Sequence, residues 1–413
     1  AALGIPAEAE YLQTYLRRTG RGEPVDPAHW TYYLVFNMFR LVGILQGIMA
    51  RALQGNASSA QALQAAGFFK LLQPKQWGGY EVDPVTFYEA VRWIATACGS
   101  TGWVAGIIGV HNWHLSLFDQ RAQEEVWGAD TNVRISSSYA PMGMGEVVEG
   151  GYKVNGNWAF SSGCDIADWT FVGGPVIKDG RPVDFVSYLL PRSDYTIKDV
   201  WNVVGLKGTG SNTIVVKDVF VPRHRFLSYK AMNDHTAAGL VNNTAPVYKM
   251  PWGTIHPSTI ATPIVGMAYG AYEAHVEHQG KRVRAAYAGE KSKDDPFAKV
   301  RIAEAASEID AAWRQLSGNL QAEYDYILAG ESVPMELRLA ARRDQVRATG
   351  RAIEAIDMLF ENSGAGALNV DSPIQRFWRD AHGGRVHAAN DPERAYVAFG
   401  NGEFGLPIGD TMV

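Results

Sequence analysis

The chain has 413 residues, of which 46% are hydrophobic, and a formal net charge of -5. This length and composition predict a globular protein with a large core, divided among two or three layers or domains. The charges are of mixed sign and form no basic stripe, so a nucleic-acid partner is not expected. Cys98 and Cys164 are too few for a disulfide framework or a zinc site, and the N-terminus lacks the order of a signal peptide. We therefore expect a cytoplasmic protein.

Residues 1–60 are predicted to be an atypical helical lead-in. Its long helix is expected over Tyr32–Leu53 and ends at the small and polar run Gly55–Ser59. The most apolar part, Tyr32–Met49, contains two amides and an arginine, so it falls short of a membrane span. We expect a buried helix here and no membrane partner.

Residues 61–130 are predicted to form an N-terminal helical domain. Asp83 and Pro84 are typical of an N-cap and a first helical turn, and Gly99–Gly102 is expected to interrupt the helical pattern. The expected helices are Gln61–Phe69, Asp83–Ala97 and Trp103–Phe118.

His111 falls on the apolar stripe of the third of these helices. A single histidine on such a face is more often a core residue with satisfied hydrogen bonds. Burial, however, also lowers the pKa of an imidazole and keeps it available as a neutral base. Both interpretations stay open on this pattern.

Between residues 131 and 222 the hydrophobic period changes from about 3.6 to about 2, which indicates strands. Because no helices separate these strands and no GxGxxG follows one, a barrel or sandwich is favoured over a Rossmann sheet. The expected strands are Val133–Ala140, Gly145–Val148, Tyr152–Phe160, Trp169–Ile177, Val183–Leu190, Tyr195–Trp201 and Thr213–Val221.

The stretch Gly151–Trp169 combines a strand pattern with a polar end. Asn155-Gly156 predicts a tight turn, and Ser161–Gly163 presents hydroxyls and bare backbone where the strand should end. Such an end could offer hydrogen bonds to a flat ring, with Trp103 and Trp169 as aromatic walls. An ordinary hairpin with a hydrophilic tip is the alternative.

Residues 223–413 are predicted to be an irregular connection to about Ser258, followed by a helical bundle. A small-residue helix is expected from Pro263 to about Arg284, and Asp294-Asp295-Pro296 is typical of a helix start. The next two helices carry apolar seams with steps of 3 and 4, which predict antiparallel packing either within the chain or between subunits.

The order of helical domain, β-domain and helical bundle resembles the acyl-CoA dehydrogenase superfamily, and three motifs support this. They are Val204–Ser211, Lys217–Pro222 and Arg376–Ala381. In those dehydrogenases the last motif leads to a Tyr-Glu pair whose glutamate is the base, whereas this chain has His387-Ala388 there. The resemblance thus implies the α+β fold but argues against acyl-CoA oxidation, unless Glu393 or another carboxylate takes over.

From about residue 61 the chain resembles more closely the oxygenase components of two-component flavin-dependent aromatic hydroxylases. The matching segments are Thr96–Trp103, Gly109–His114, Arg134–Gly143, Ser161–Asp165 and Gly384–Arg394. Before them, Leu16–Arg21 and Phe39–Ala60 resemble the tail of an aminoglycoside-phosphotransferase-like domain, from which no kinase activity is inferred.

The resemblance implies a flavin-dependent monooxygenase that uses O2 and reduced FMN, or FADH2, supplied by a separate NAD(P)H:flavin reductase. It also implies a homotetramer without a metal. The expected substrate is a phenolic secosteroid of steroid degradation, which becomes a catechol. The alternatives are a 4-hydroxyphenylacetate-type phenol hydroxylase and an acyl-CoA dehydrogenase-like flavoenzyme.

The same resemblance implies roles for individual residues. His111 is expected to hold or deprotonate the phenol, His387 to manage the proton of the activated oxygen, and Ser162 to bond the flavin near N5. Arg282, or its neighbour Arg284, is expected to neutralise flavin phosphate, from an adjacent subunit if the bundle pairs subunits. The remaining expected cofactor-binding residues are Trp103, Ser137, Ser138, Tyr139, Phe160, Ser161, Ala365, Gly366 and Ala388.

Overall fold

A group of four helices opens the described part of the chain. The computed structural model describes residues 59–284, 289–410 and 412–413, so the predicted lead-in helix Tyr32–Leu53 lies outside the described residues. The four helices are α1 (Ser59–Ala65), α2 (Pro84–Ala97), α3 (Gly99–Leu115) and α4 (Gln120–Trp127).

Helix α2 begins where the sequence predicts, because Asp83 accepts a hydrogen bond from the Thr86 backbone N–H. The predicted interruption at Gly99–Gly102 is wrong, since α3 already begins at Gly99. A Cβ atom on Gly102 would lie 2.4 Å from the Cβ of Ala95. Glycine is therefore required here by the close approach of α2 and α3, not by a break in the helix.

Eight strands form one mixed sheet in the order β6-β7-β3-β2-β4-β5-β8, and β1 pairs with β4. β4 runs parallel to β1 and β2, and the other pairs are antiparallel. The strands are β1 (Ile135–Ser138), β2 (Gly143–Val148), β3 (Gly151–Ser161), β4 (Trp169–Lys178), β5 (Arg181–Pro191), β6 (Thr196–Lys198), β7 (Asn212–Pro222) and β8 (Phe226–Ser228).

The tight turn predicted at Asn155-Gly156 is wrong, because β3 continues through both residues. Against β7 the register shifts between Val154 and Gly156, which is an irregularity within the strand. A Cβ atom on Gly156 would lie 2.6 Å from the indole of Trp158, so the glycine leaves room for this buried ring. The chain turns instead at Gly150, whose φ is +79°.

The C-terminal part is helical, with two short strands. Its elements are α5 (Tyr229–Asn233), α6 (Trp252–Lys281), β9 (Val283–Arg284), β10 (Glu290–Lys291), α7 (Pro296–Leu328), α8 (Met335–Ser363), α9 (Pro373–Arg385) and α10 (Pro392–Glu403). Helix α6 begins at Trp252, well before the predicted Pro263, so the prediction of an irregular connection up to Ser258 is wrong. Its first seventeen residues, 252–268, are all buried, and this packing stabilises the helix despite two internal prolines.

Helices α6, α7 and α8 share one core, as the apolar seams predict. Ile309 and Leu316 of α7 pack in the same cluster as Ile356 of α8 and Ile264 of α6. Asp295 caps α7 by accepting from the backbone N–H of Phe297, as expected from Asp295-Pro296. The bundle therefore closes within the chain, and pairing of helices between subunits stays a prediction. Within the described ranges, no helix is long and apolar enough to cross a membrane.

Candidate active site

Helix α3 and strand β1 meet at a buried hydrogen bond of His111. Its Nδ1 lies 2.5 Å from the carbonyl oxygen of Ile135. Because a carbonyl only accepts, Nδ1 carries the proton and Nε2 of the neutral ring keeps a lone pair. Burial lowers the pKa of His111 to about 4, although the bond to Ile135 opposes the shift. At neutral pH this ring is an uncharged proton acceptor at Nε2.

His387 has the opposite arrangement. It precedes the turn 388–390, and its Nδ1 accepts the backbone N–H of Ala389 at 3.1 Å. The proton of the neutral ring must therefore be on Nε2. Burial lowers the pKa of His387 to about 4. His387 thus offers a donor at Nε2.

A row of rings connects the two histidines. Neighbouring centroids in the row lie 4.7 to 6.3 Å apart. The members in order are His111, Tyr139, Trp252, His256, His387 and Trp103. These rings form an aromatic wall that is apolar on its faces and polar at a few edges, a composition suited to contact with an aromatic molecule.

Two further histidines of this region were missed by the sequence analysis. His256 stacks on Trp252 at an interplanar angle of 7°, and burial lowers its pKa to about 3. His114 is fully buried, its ring lies 4.7 Å from that of Phe171, and burial lowers its pKa well below the usual range. Sequence spacing could have indicated both residues. His114 follows His111 by three positions, and His256 follows Trp252 by four, so each pair of rings lies on one face of its helix.

A chain of hydroxyls begins at the other side of Trp103. The indole Nε1–H donates to Ser162 Oγ at 3.1 Å. Ser162 is 2.8 Å from Ser211 Oγ, which is 2.7 Å from Thr209 Oγ1. Helix α3, the end of β3 and the start of β7 are therefore joined by polar contacts, and the predicted pairing of Trp103 with Ser162 in one site is found.

The end of β3 also carries an unpaired hydroxyl, on Ser161, and an exposed aromatic ring on a strained backbone, at Phe160. Ser161 is fully buried, and its hydroxyl has no hydrogen-bond partner among the described residues. Phe160 is 66% exposed and has a φ of +64°, which costs a non-glycine residue roughly 1 kcal/mol or more. Its ring meets that of Trp201 edge to face at 6.2 Å.

These features fit a flat, polar-edged ring such as the isoalloxazine of a flavin. The unpaired hydroxyl of Ser161 supplies a hydrogen-bonding group for its edge, and the exposed ring of Phe160 supplies an apolar face. The indole of Trp103 is bonded to Ser162, which directly follows this strand end. Among the described residues, no three His, Cys, Asp or Glu side chains are grouped so that they could hold a metal ion.

The predicted residues of β1 and its end lie beside the row of rings. Ser137 pairs with Phe171, Tyr139 belongs to the row, and the Ser138 hydroxyl donates to the carbonyl of Ala159 at 2.7 Å. Trp169, which was predicted as a second aromatic wall beside Trp103, packs against Arg225, whose guanidinium carbon is 5.1 Å from the centre of the Trp169 ring.

Arg282, predicted to neutralise flavin phosphate, lies in a separate group with the predicted cofactor-binding residues Ala365 and Gly366. Arg282 donates to the carbonyl of Asn362 at 2.8 Å and lies against Gly364, next to the exposed Ala365 and Gly366. This group lies beyond the C-terminal end of α6, whereas His256 lies in its second turn. At 1.5 Å per residue, about 40 Å of helix separates them. Arg284 is ion-paired with Asp295 at 2.6 Å.

The fold and this site define a class of flavoprotein with the acyl-CoA dehydrogenase architecture. Residues 258–392 match the family model described as acyl-CoA dehydrogenase, C-terminal domain. A solved structure, the 3-HSA hydroxylase from Rhodococcus sp. RHA1, is similar with a TM-score of 0.88 and 72% identity, over 92% of this chain and 99% of that one. The predicted α+β fold is thereby confirmed.

Curated relatives narrow the class. The oxygenase subunit HsaA of a flavin-dependent monooxygenase from Rhodococcus jostii (strain RHA1) is 77% identical over 86% of this chain and 93% of its own length. The protein of the same name from Mycobacterium tuberculosis (strain CDC 1551 / Oshkosh) is 76% identical over 86% and 90%. The chain belongs to the family of oxygenase subunits of flavin-dependent monooxygenases. The predicted enzyme class and flavin dependence are confirmed.

Proposed function

We propose that this protein hydroxylates the phenolic secosteroid 3-HSA next to its hydroxyl group and produces a catechol. The observation that carries the proposal is the pair of neutral imidazoles with opposite tautomers that one aromatic wall connects. The similarity to the 3-HSA hydroxylase from Rhodococcus supports this substrate. We also propose that a separate NAD(P)H:flavin reductase supplies the reduced flavin, since the relatives are named oxygenase subunits.

His111 is proposed to activate the phenol. With a pKa near 10, a phenol costs about 4 kcal/mol to deprotonate at pH 7. With a pKa of about 4, His111 is a weak base, so its Nε2 lone pair accepts a hydrogen bond from the phenol and draws the proton only as oxygen transfer develops. The bond from Nδ1 to Ile135 fixes the orientation of the ring. Deprotonation makes the ring carbon beside the hydroxyl more electron-rich and therefore more reactive.

His387 is proposed to donate a hydrogen bond, through its Nε2–H, to the oxygen that is being transferred. Its Nε2–H is a donor, so it can hydrogen-bond to an oxygen that gains negative charge during transfer. The two histidines thus divide the acid and base tasks between them.

Trp103, Phe160, Ser161 and Ser162 are proposed to hold the reduced flavin, FMN or FADH2. When bound, the flavin supplies the electrons that activate O2 for transfer. The protein groups orient the ring and exclude water from it, which suppresses loss of the activated oxygen as hydrogen peroxide. Ser137, Ser138, Tyr139 and the exposed Ala388 stay predicted members of this site.

Arg282, with Ala365 and Gly366, is proposed to bind the flavin phosphate of a neighbouring subunit. The support is the length of α6, which puts this group far from the histidines of its own chain. A homotetramer would bring the two ends together. The exposed apolar residues of α10 and its end, Val397 and Phe404 among them, are suitable for such subunit contacts.

The described geometry disfavours the two alternatives. Acyl-CoA oxidation needs a carboxylate where His387 stands, and Glu393 is exposed on α10. A 4-hydroxyphenylacetate-type substrate needs a cation for its acid group. Arg342, whose charge influences His256, is already paired with Asp410 at 3.1 Å. An uncharged, bulky phenol matches the aromatic wall better.

The decisive experiment supplies photoreduced FMN anaerobically, adds oxygenated buffer, and quantifies catechol and hydrogen peroxide with 3-HSA, 4-hydroxyphenylacetate or an acyl thioester. Catechol from 3-HSA, with peroxide dominating for the other two compounds, is expected. Equal or better hydroxylation of 4-hydroxyphenylacetate would overturn the substrate assignment.

We place the enzyme in the cytoplasm, because Cys98 and Cys164 are both free thiols.

A further inference from the structure

The turn that carries His387 is held from behind by a buried polar network. Arg342 of α8, 3% exposed, donates to the carbonyl of Ala389 at 2.7 Å. Asn390 is 1% exposed; its Oδ1 accepts from Gln345 at 2.8 Å, and its Nδ2 donates to the carbonyl of Gly384 at 3.0 Å. The backbone after His387 is thus fixed by side chains from a different helix.

Asp410 near the end of the chain holds Arg342 in place. Arg342 Nε donates to Asp410 Oδ2 at 3.1 Å, and the two side chains are 2% and 9% exposed. The other oxygen, Oδ1, accepts the backbone N–H of Met412 at 2.9 Å. Because both oxygens are engaged and the charges compensate each other, the guanidinium can stay ionised although burial lowers its pKa.

Ala389 is the link between this network and the catalytic ring. Its N–H is bonded to His387 Nδ1, and its carbonyl is bonded to Arg342. If the carbonyl is released, the Ala389 N–H can rotate away from the ring, and His387 Nδ1 becomes free to carry the proton. We propose that Arg342, held by Asp410, is a positioning residue that keeps the proton of His387 on Nε2, facing the reaction.

An anchoring function for the end of the chain is the competing explanation. Arg338 provides a matched control, because it lies one turn before Arg342 on the same helix and donates to the carbonyl of Val413. Arg338→Gln should loosen the same segment at Val413 while leaving the bond to Ala389. A structural anchor predicts similar effects from both arginines; a positioning residue predicts an effect from Arg342 alone.

The test reads the ring directly. Full-length protein containing 15N-labelled histidine is prepared as wild type, Arg342→Gln, Asp410→Asn and Arg338→Gln, and ring nitrogen shifts are recorded by solid-state NMR. The signals of His387 are identified by their loss in His387→Asn. We expect a protonated Nε2 in the wild type and Arg338→Gln, a mixture of tautomers in Arg342→Gln, and a smaller change in Asp410→Asn.

The result is read together with the fraction of consumed O2 that appears as hydrogen peroxide, which should rise severalfold in Arg342→Gln. Unchanged ring shifts in Arg342→Gln would overturn the positioning inference, as would equal changes in Arg338→Gln. The catalytic consequence rests on the function proposed above for His387. A changed tautomer with unchanged peroxide would support the positioning and overturn that function, so the two failures are distinguishable. Should Arg342→Gln fail to fold, Asp410→Asn carries the same test.

Discussion

His111 and His387 keep their protons on opposite ring nitrogens. Nδ1 of His111 donates to the carbonyl of Ile135, whereas Nδ1 of His387 accepts from the N–H of Ala389. Both tautomers are set by backbone atoms, and burial keeps both rings neutral at physiological pH by lowering each pKa to about 4. The site therefore presents one Nε2 lone pair and one Nε2–H without requiring either histidine to be charged beforehand.

Replacing His111 by Ala should abolish hydroxylation without preventing O2 consumption. Loss of the proton acceptor should reduce catechol formation by a factor on the order of 100 or more. Reduced FMN should still bind, because the contacts proposed for the flavin come from Trp103 and the end of β3. The measurement is the ratio of catechol to peroxide together with an anaerobic FMN titration.

A suitable control for this variant is His224→Ala, since His224 pairs with Glu125 at 2.8 Å away from the ring cluster. It should retain the wild-type ratio of catechol to peroxide. If His111→Ala also retained that ratio, the proposed base would be refuted.

The buried imidazoles should make the protein less stable in acid. In the unfolded chain a histidine has a pKa near 6.5, whereas the pKa of folded His256 is about 3. The unfolded state thus binds more protons between these values, so stability is fully present above about pH 6.5 and is lost as the pH falls. Each such histidine contributes up to about 1.4 kcal/mol per pH unit within that window.

His256→Phe isolates one of these contributions, because phenylalanine keeps a ring against Trp252 but cannot titrate. Urea unfolding at several pH values between 5 and 7 gives the slope of the unfolding free energy against pH. In His256→Phe this slope should be lower than in the wild type by the equivalent of about one bound proton. The slope, not the absolute stability, is compared, because the substitution itself changes packing. Equal slopes would mean that His256 titrates in the folded protein as it does in the unfolded chain, with no lowered pKa.

Features set by neighbouring residues in the chain were predictable from the sequence. The N-caps Asp83 and Asp295 were correctly placed, because a capping side chain and its backbone partner lie within three residues of each other. His111 and His387 were chosen as candidate site residues through the resemblance of their motifs to those of a family. Their tautomers were not predictable, because these depend on Ile135 and on the turn 388–390, whose backbone geometry only the folded structure shows.

The errors have a common physical cause. The glycines Gly102 and Gly156 were interpreted as breaks, but each leaves room for a neighbour, Ala95 and Trp158 respectively, and no local pattern distinguishes the two uses. His256 was missed because it falls, next to Pro257, in the predicted irregular connection, and the helix was expected to begin only at Pro263. Complete burial of the first turns of α6 overrides that local preference.

Replacing Ser162 by Ala should raise the fraction of O2 lost as peroxide. The change removes the acceptor of the Trp103 indole and interrupts the hydroxyl chain to Ser211. An unpaired buried donor costs about 1–3 kcal/mol, so the indole should become less ordered. Ser136→Ala is the matched control, since this fully buried serine bonds to Thr170 at 3.0 Å. Intact coupling in Ser162→Ala would contradict the assignment of this hydroxyl to the flavin.

Two adjacent glycines of α9 test whether the position of Trp103 determines flavin binding. A Cβ atom on Gly384 would lie 2.8 Å from Cζ3 of Trp103 and 3.1 Å from Ile264. A Cβ atom on Gly383 would meet no atom closer than 3.5 Å. Both sites are helical, where Ala is favoured over Gly by up to about 1 kcal/mol, so the variants differ mainly in the contact with the indole.

Gly384→Ala should therefore displace the indole from Ser162 and weaken binding of reduced FMN severalfold, because overpacking of this kind costs roughly 1–3 kcal/mol. Gly383→Ala should bind FMN as the wild type does and unfold at the same or a higher temperature. Anaerobic titration followed by tryptophan fluorescence measures the affinity, and thermal unfolding monitors the fold. Equal FMN affinity in the two variants would show that the flavin does not depend on the indole, and Trp103 would then be a core residue only.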